Sequence, residues 1–239
     1  MPPRTVVHRI LSVPRAGSDA ASEDAAAVRA EDWPVRAAVA DGATESAFSG
    51  LWARTLVDHL LDRSATTAEA FAAAVDAGQA EWTAAVTDRL DDRPWYVRAK
   101  AEEGAFATVL GVVLSDDGAW TAVAVGDCCL FHLRDGGLVG AWPYDDPDAF
   151  THRPSLVPSR RNRPVPVPKT TSGTWETGDQ VLLATDAVAA WLLRRGPASL
   201  RDADVPALRR AVQAAREEGR LRNDDATLLV LTIDDRARP

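Results

Sequence analysis

Residues 104–114, Gly-Ala-Phe-Ala-Thr-Val-Leu-Gly-Val-Val-Leu, carry a single polar side chain, Thr108. The run shows no alternation of apolar and polar positions, so it reads as a strand buried on both faces. Residues 35–40, polar only at Arg36, read as a second buried strand. Residues 226–233 read as a third, with Leu228 and Val230 on one face and Leu229, Leu231 and Ile233 on the other. Turn signals at Asp116-Asp117-Gly118 and Arg134-Asp135-Gly136-Gly137 join residues 104–114, 120–133 and 138–142. That series is an antiparallel meander, not a βαβ repeat.

Helical spacing appears elsewhere. Residues 45–62 place Phe48, Leu51, Trp52, Thr55, Leu56, His59 and Leu60 on one stripe. His59 lies on or beside that stripe and reads as a packed or half-exposed side chain before a ligand. Residues 67–90, with Phe71, Val75, Trp82 and Val86, form a second long helix; residues 95–103 are irregular or a short one. Residues 187–195 and 205–218 are helical, and 5–13 and 180–185 are strands. Residues 25–29 and 35–40, joined by Glu31-Asp32-Trp33-Pro34, form a hairpin. It sets Asp24 and Asp41 at the same sheet edge. Residues 143–172 break the pattern with seven prolines and with Arg153, Arg160, Arg161 and Arg163. So long a loop is either a solvated linker or a flap, about 143–173, that meets an anionic substrate. With no internal repeat and no change of composition, residues 1–239 read as one domain.

The net charge of −8 argues against a nucleic-acid partner held by a basic surface. No apolar run approaches the ~20 residues of a membrane span, and the first residues lack the apolar core of a signal peptide. A cytoplasmic protein with no membrane partner is expected. The two cysteines, Cys128 and Cys129, are adjacent and so point to opposite faces of a strand. They read as small core residues.

The acids carry the chemistry. Asp41 ends a buried strand, and Gly42 lets the backbone turn so that its carbonyl can face the same cleft. An Asp-Gly pair at a strand end is usually just a turn. It gains weight because Asp127 lies within a strand-like run, Asp186 at the end of one and Asp224 just before one. Strand-flanking carboxylates in this number suggest a hard-cation site.

Taken in order, Ser22-Glu23-Asp24, Val39-Ala40-Asp41-Gly42, residues 104–108, Val125-Gly126-Asp127, residues 178–186 and Asp224-Asp225-Ala226-Thr227 resemble the type 2C metal-dependent protein serine/threonine phosphatases, in a compact bacterial form. The resemblance runs from about Ser22 to Ile233. It implies an α+β fold: a four-layer αββα sandwich of two mostly antiparallel sheets, each flanked by a pair of helices. It implies two Mn²⁺ or Mg²⁺ ions and a labile third. Asp41 corresponds to the bridging carboxylate, the Gly42 carbonyl to a backbone ligand, and Asp186 and Asp224 to the acids on one ion. Asp24 corresponds to a ligand through water, and Asp127 to a ligand of the third ion. Two such ions about 4 Å apart can activate a shared water and clamp phosphate oxygens, with no covalent intermediate.

The implied function is hydrolysis of phosphoserine and phosphothreonine in proteins that a serine/threonine kinase has modified. The alternatives are a catalytically weak regulatory or binding module on the same fold, and a hydrolase of small phosphate esters. Several positions depart from the family. Asp19 stands where members often carry a phosphate-binding arginine, which leaves Arg15 and the flap residues Arg160, Arg161 and Arg163 as substrate-binding candidates. Ala43-Thr44-Glu45 follows Asp-Gly, Ala187 follows Asp186, and Cys128-Cys129 follows Gly-Asp. Asp225 stands for Asn. Periodicity does not choose between Asp224 and Asp225; the resemblance makes Asp224 the ligand. An ionised Asp225 must then accept hydrogen bonds, and Asp225→Asn is expected to be tolerated or to improve activity.

Overall fold

In the computed structural model, residues 4–18, 21–44, 46–90, 94–150, 153–200 and 203–235 are described. Two antiparallel sheets stack between helices. The first sheet places β1 (Thr5–Val13), β11 (Ala226–Asp234), β10 (Gln180–Ala184), β6 (Cys129–Arg134) and β7 (Gly137–Trp142) side by side. The second orders β2 (Ala25–Arg29), β3 (Val35–Gly42), β4 (Phe106–Leu114), β5 (Ala119–Val125) and β9 (Lys169–Thr174), and the two-residue β8 (Val157–Pro158) pairs with β4. The helices are α1 (Ser49–Asp62), α2 (Ala68–Leu90), α3 (Trp95–Glu103), α4 (Asp186–Arg195) and α5 (Val205–Glu217).

The doubly apolar strands now have a reason. Val39, Leu110 and Val112 face Leu183, Leu229 and Leu231 across the space between the sheets. On the outer side of the second sheet, Ala40, Val109 and Val123 pack against Trp52, Leu56, Phe71 and Trp82 of α1 and α2. On the outer side of the first, Phe131, Leu182 and Val230 pack against Val188, Trp191, Leu208 and Val212 of α4 and α5. The central strands of each sheet therefore bury both faces, while the edge strands β7 and β9 remain largely exposed. This is the expected four-layer α+β sandwich. Among the described residues, no helix is long and apolar enough to cross a membrane.

Residues 120–133 are not one strand. The chain leaves the second sheet after Val125 and enters the first at Cys129. The crossing needs Gly126: its φ is +96°, and a Cβ there would stand 2.4 Å from Thr108 Cγ2 and 2.8 Å from the Ser155 carbonyl. Asp127 thus lies at the crossing between sheets. Cys128, just before β6, packs between the sheets, and Cys129, its first residue, packs under the outer helices, so the two side chains part.

Residues 95–103 form a helix, and α1 starts at Ser49, later than the stripe suggested, because Phe48 takes a left-handed φ of 62°. The segment 143–173 is not a structureless flap. Val157 and Pro158 pair with Ala107 and Phe106, and Lys169–Thr174 is the edge strand beside β5. Trp52 Nε1 donates to the Val157 carbonyl and Gln79 Nε2 to the Pro158 carbonyl, each at 2.9 Å. His59 makes contacts with Glu81 and Arg63 on the helical surface.

A buried ionic cluster ties the turn before β10 to β6. Asp179 accepts hydrogen bonds from His132 Nε2 at 2.8 Å, from Arg134 Nη2 at 2.8 Å and from the Glu176 N–H at 2.9 Å. Burial works to raise the Asp179 pKa, but these donors outweigh it and hold the carboxyl below its ordinary value. The charged form therefore stabilises the fold above the unfolded-state value of about 4, and that contribution is lost as pH falls through the depressed native value. The denaturation midpoints of wild type and Asp179→Asn should lie well apart at pH 7 and converge as pH drops below about 4. A gap that does not change with pH would show that the cluster holds by shape alone.

Gly126→Ala should cost about 2–4 kcal/mol, the sum of left-handed strain and overpacking. Gly118 has a similar φ of +92° but its Cβ would meet nothing closer than 3.4 Å. Urea unfolding should therefore rank Gly126→Ala well below Gly118→Ala in stability.

Candidate active site

The hairpin of β2 and β3 pairs Ala25 with Ala40, which brings Asp24 and Asp41 to one edge. Gly42 continues β3 in pairing with Ala107. A side chain is impossible at Gly42, since its Cβ would fall 2.8 Å from the backbone of Ser49 and 2.9 Å from the Glu23 carbonyl. The first sheet contributes from its own ends. Ala184 pairs with Leu228, and beyond that register Asp186 opens α4 while Asp224 precedes β11. Asp127 arrives from the crossing between sheets.

These ends meet in a cleft of about 720 Å³, lined by Asp41, Gly42, Thr108, Asp127, Asp186 and Asp224 together with Lys100, Glu103, Arg153 and Arg222. Asp24 is buried, and its Oδ2 accepts a hydrogen bond from Thr185 Oγ1 at 2.9 Å.

The carboxylates are crowded and poorly neutralised. Burial, joined by repulsion from Asp225 and Asp186, pushes Asp24 up to about 7 despite hydrogen bonds from Thr227 and Thr185. Burial and the charge of Asp186 push Asp127 up to about 7 as well. Asp41 is raised well above the usual carboxylate range, by burial first and then by Asp24, Asp186, Asp127 and Asp224. Asp24 Oδ1, Asp127 Oδ1 and Asp186 Oδ1 are buried without a hydrogen-bond partner. Hard oxygen donors left unpaired at this density fit a Mg²⁺- or Mn²⁺-type ion. Among the described residues, no three acids, histidines or cysteines close into a ready-made coordination group. The cysteines offer no nucleophile. Burial drives Cys129 up to about 12 and Cys128 well above its ordinary value.

The expected substrate-binding arginines lie elsewhere. Arg160 donates to the Ala101 carbonyl at 2.6 Å and stacks over Trp82; Arg161 pairs with Asp76 on α2 at 2.9 Å. Arg163 lies over the Phe106 ring, 5.3 Å from its centre. Arg15 meets the site through its backbone, its N–H donating to Asp225 Oδ1 at 2.9 Å. The flap does supply Arg153 to the cleft. Asp19 lies outside the described residues. Lys100 on α3 and Arg222 were missed by the sequence reading. Arg222 had a signal, since it stands two residues before Asp224 in a turn that must face the cleft. Lys100 had none, because α3 was not placed against the sheets.

Solved structures share this fold. The serine/threonine phosphatase PstP/Ppp of Mycobacterium tuberculosis superposes with a TM-score of 0.69 at 19% identity, covering 96% of this chain and 99% of that one. The S. agalactiae serine/threonine phosphatase gives 0.65 at 13% identity, covering 95% and 99%. PppA of Pseudomonas aeruginosa gives 0.59 at 20% identity, covering 97% and 100%. No curated protein matches the sequence. The protein phosphatase 2C family model matches residues 15–229, and the chain belongs to that family.

Asp225 uses both carboxylate oxygens on backbone donors: Oδ1 on the Arg15 N–H and Oδ2 on the Glu23 N–H at 2.6 Å. It thereby fixes the segment that leads into Asp24. An asparagine would turn its NH₂ toward one of those N–H groups. Asp225→Asn should therefore destabilise the protein by about 1–3 kcal/mol in urea unfolding. That is the reverse of the tolerance expected from the family pattern; an unchanged midpoint would restore that expectation.

Proposed function

We propose that this chain is a Mn²⁺- or Mg²⁺-dependent phosphatase acting on phosphoserine and phosphothreonine in proteins, the products of a serine/threonine kinase. The observation that carries the reading is the set of unpaired, mutually repelling carboxylates at one cleft, whose charge a bound cation would neutralise. Asp24, Asp41, Asp127, Asp186 and Asp224 and the Gly42 carbonyl are the groups that would hold it. Support comes from the catalytic domain of PstP, solved in complex with two manganese ions, and from RsbX, solved with magnesium. A bound dication supplies Lewis acidity to water and charge neutralisation to phosphate oxygens.

The chain's own residues do the rest. Lys100, Arg153 and Arg222 put positive charge on the cleft wall, where a phosphate dianion would otherwise meet carboxylates alone. The Thr185 hydroxyl fixes the Asp24 carboxylate in orientation. Glu103 and Phe106 complete the wall. An open cleft of this size admits a phosphorylated side chain on a larger protein.

Asp41→Asn should lower Mn²⁺-dependent hydrolysis of a phosphothreonine peptide by roughly 10³-fold or more, on the order of 4 kcal/mol of transition-state stabilisation. The same change should raise the thermal midpoint of the metal-free protein, because it deletes a repelled charge. Full metal-dependent turnover in this variant would reject the assignment. Turnover of p-nitrophenyl phosphate without any phosphopeptide hydrolysis in the wild type would replace the protein substrate with a small ester.

A further inference from the structure

The acids of the cleft are not equivalent in their partners, and the difference bears on how many ions they can hold. Resting on the metal-dependent reading above, we infer that the Arg222 guanidinium is a resident cation on Asp186 and Asp224, so that the cleft holds one divalent ion and not two.

Arg222 Nη2 donates to Asp186 Oδ2 at 2.5 Å and to Asp224 Oδ2 at 2.9 Å. The other Asp224 oxygen, Oδ1, accepts the Asp225 N–H at 3.0 Å. Both oxygens of Asp224 are thus engaged by N–H donors. A Mg²⁺ ion takes carboxylate oxygens at about 2.0–2.1 Å. An ion shared by Asp186 Oδ2 and Asp224 Oδ2 would overlap Nη2, and its charge has the same sign. Ion and guanidinium exclude each other from that position. Arginine stays protonated at every working pH, so the guanidinium does not yield by losing its charge.

The turn that carries Arg222 is also held. The Asp224 N–H donates to the Arg222 carbonyl at 2.9 Å. Arg216 Nη2 donates to the Val13 carbonyl at 3.1 Å and to the Asp224 carbonyl at 2.5 Å. Asn223 Oδ1 accepts the Ala16 N–H at 2.8 Å. A guanidinium tethered to so fixed a turn competes with a free ion at high effective concentration.

The other half of the cleft differs. Asp24 Oδ1 and Asp127 Oδ1 are buried and unpaired, and Asp41 lines the same cleft. Asp186 Oδ1 is unpaired too and can turn to the same ion. These oxygens are the ones left open to a dication; a further positive charge, on Arg222, is already part of the chain.

Native mass spectrometry of the full chain in excess Mn²⁺, with calorimetric titration alongside, tests this directly. Wild type should carry one ion. Arg222→Gln should carry two, with a second binding event in the titration, and Arg222→Lys, which keeps a cation at the turn, should return to one. The Arg222 side chain is half-exposed, and circular dichroism would verify the fold of each variant. Two ions on the wild type, or a single ion on Arg222→Gln, would overturn the inference and leave the metal-dependent reading intact. No manganese on any of the three would defeat the metal-dependent reading itself.

Discussion

Repulsion among carboxylates at the ends of two stacked sheets is the constraint around which this molecule is arranged. Asp24, Asp41, Asp127, Asp186 and Asp224 come from separate stretches of chain, and each is delivered by the end of a strand. Burial alone raises three of them, and their mutual charge raises them further. Such a grouping destabilises the fold unless apolar contacts elsewhere offset it. Three stacked apolar layers do so: one between the sheets and one under each helix pair. The cost is confined to the one edge where the strands stop and side chains can project into a cleft.

Confinement depends on backbone positions more than on side chains. Gly42 lets α1 approach so closely that Asp41 stands at the base of a helix packed on its own strand. Gly126 turns the chain from one sheet to the other and sets Asp127 at the seam. Thr185 and Thr227 then lock the ends of β10 and β11 around Asp24: Thr185 Oγ1 reaches Asp24 Oδ2, and the Thr227 N–H donates to Thr185 Oγ1 at 3.0 Å. A site assembled in this way is rigid before anything binds, which suits it to ligands held by short oxygen contacts.

The layered fold could be read from strands lacking any polar face, because a strand so composed must be covered twice. The acid positions could be read for a related reason: a carboxylate that ends an apolar strand has nowhere to go but the sheet edge. Three features could not. Residues 120–133 carry only Thr121, Asp127 and His132 as polar side chains, too few to show by periodicity that the chain changes sheets; Gly126 marks the change, and a lone glycine in a strand has several meanings. The proline-rich segment hides its pairing with β4 and β5 because its prolines interrupt any strand pattern and Lys169–Thr174 has no apolar residue to alternate with its polar ones. The arginines of that segment looked free to meet a substrate, yet Arg160 and Arg161 are tied to the helices by contacts distant in sequence.

Asp225 and Arg222 show why neighbours of a recognised acid need separate treatment. They flank Asp224 within four residues, and local pattern alone treats the group as one acidic turn. In space the roles divide: Asp225 accepts the Arg15 and Glu23 N–H groups and supports the backbone that carries Asp24, while Arg222 folds back over Asp186 and Asp224. Each acid is therefore defined by what donates to it. Where backbone N–H groups saturate a carboxylate, as at Asp225, the acid is structural. Where a guanidinium does, as at Asp186 and Asp224, one of the two negative charges is already balanced. Where nothing does, as at Asp24 Oδ1 and Asp127 Oδ1, the buried oxygen retains an unmet demand for a positive partner, and the chemistry of the cleft has to be found there.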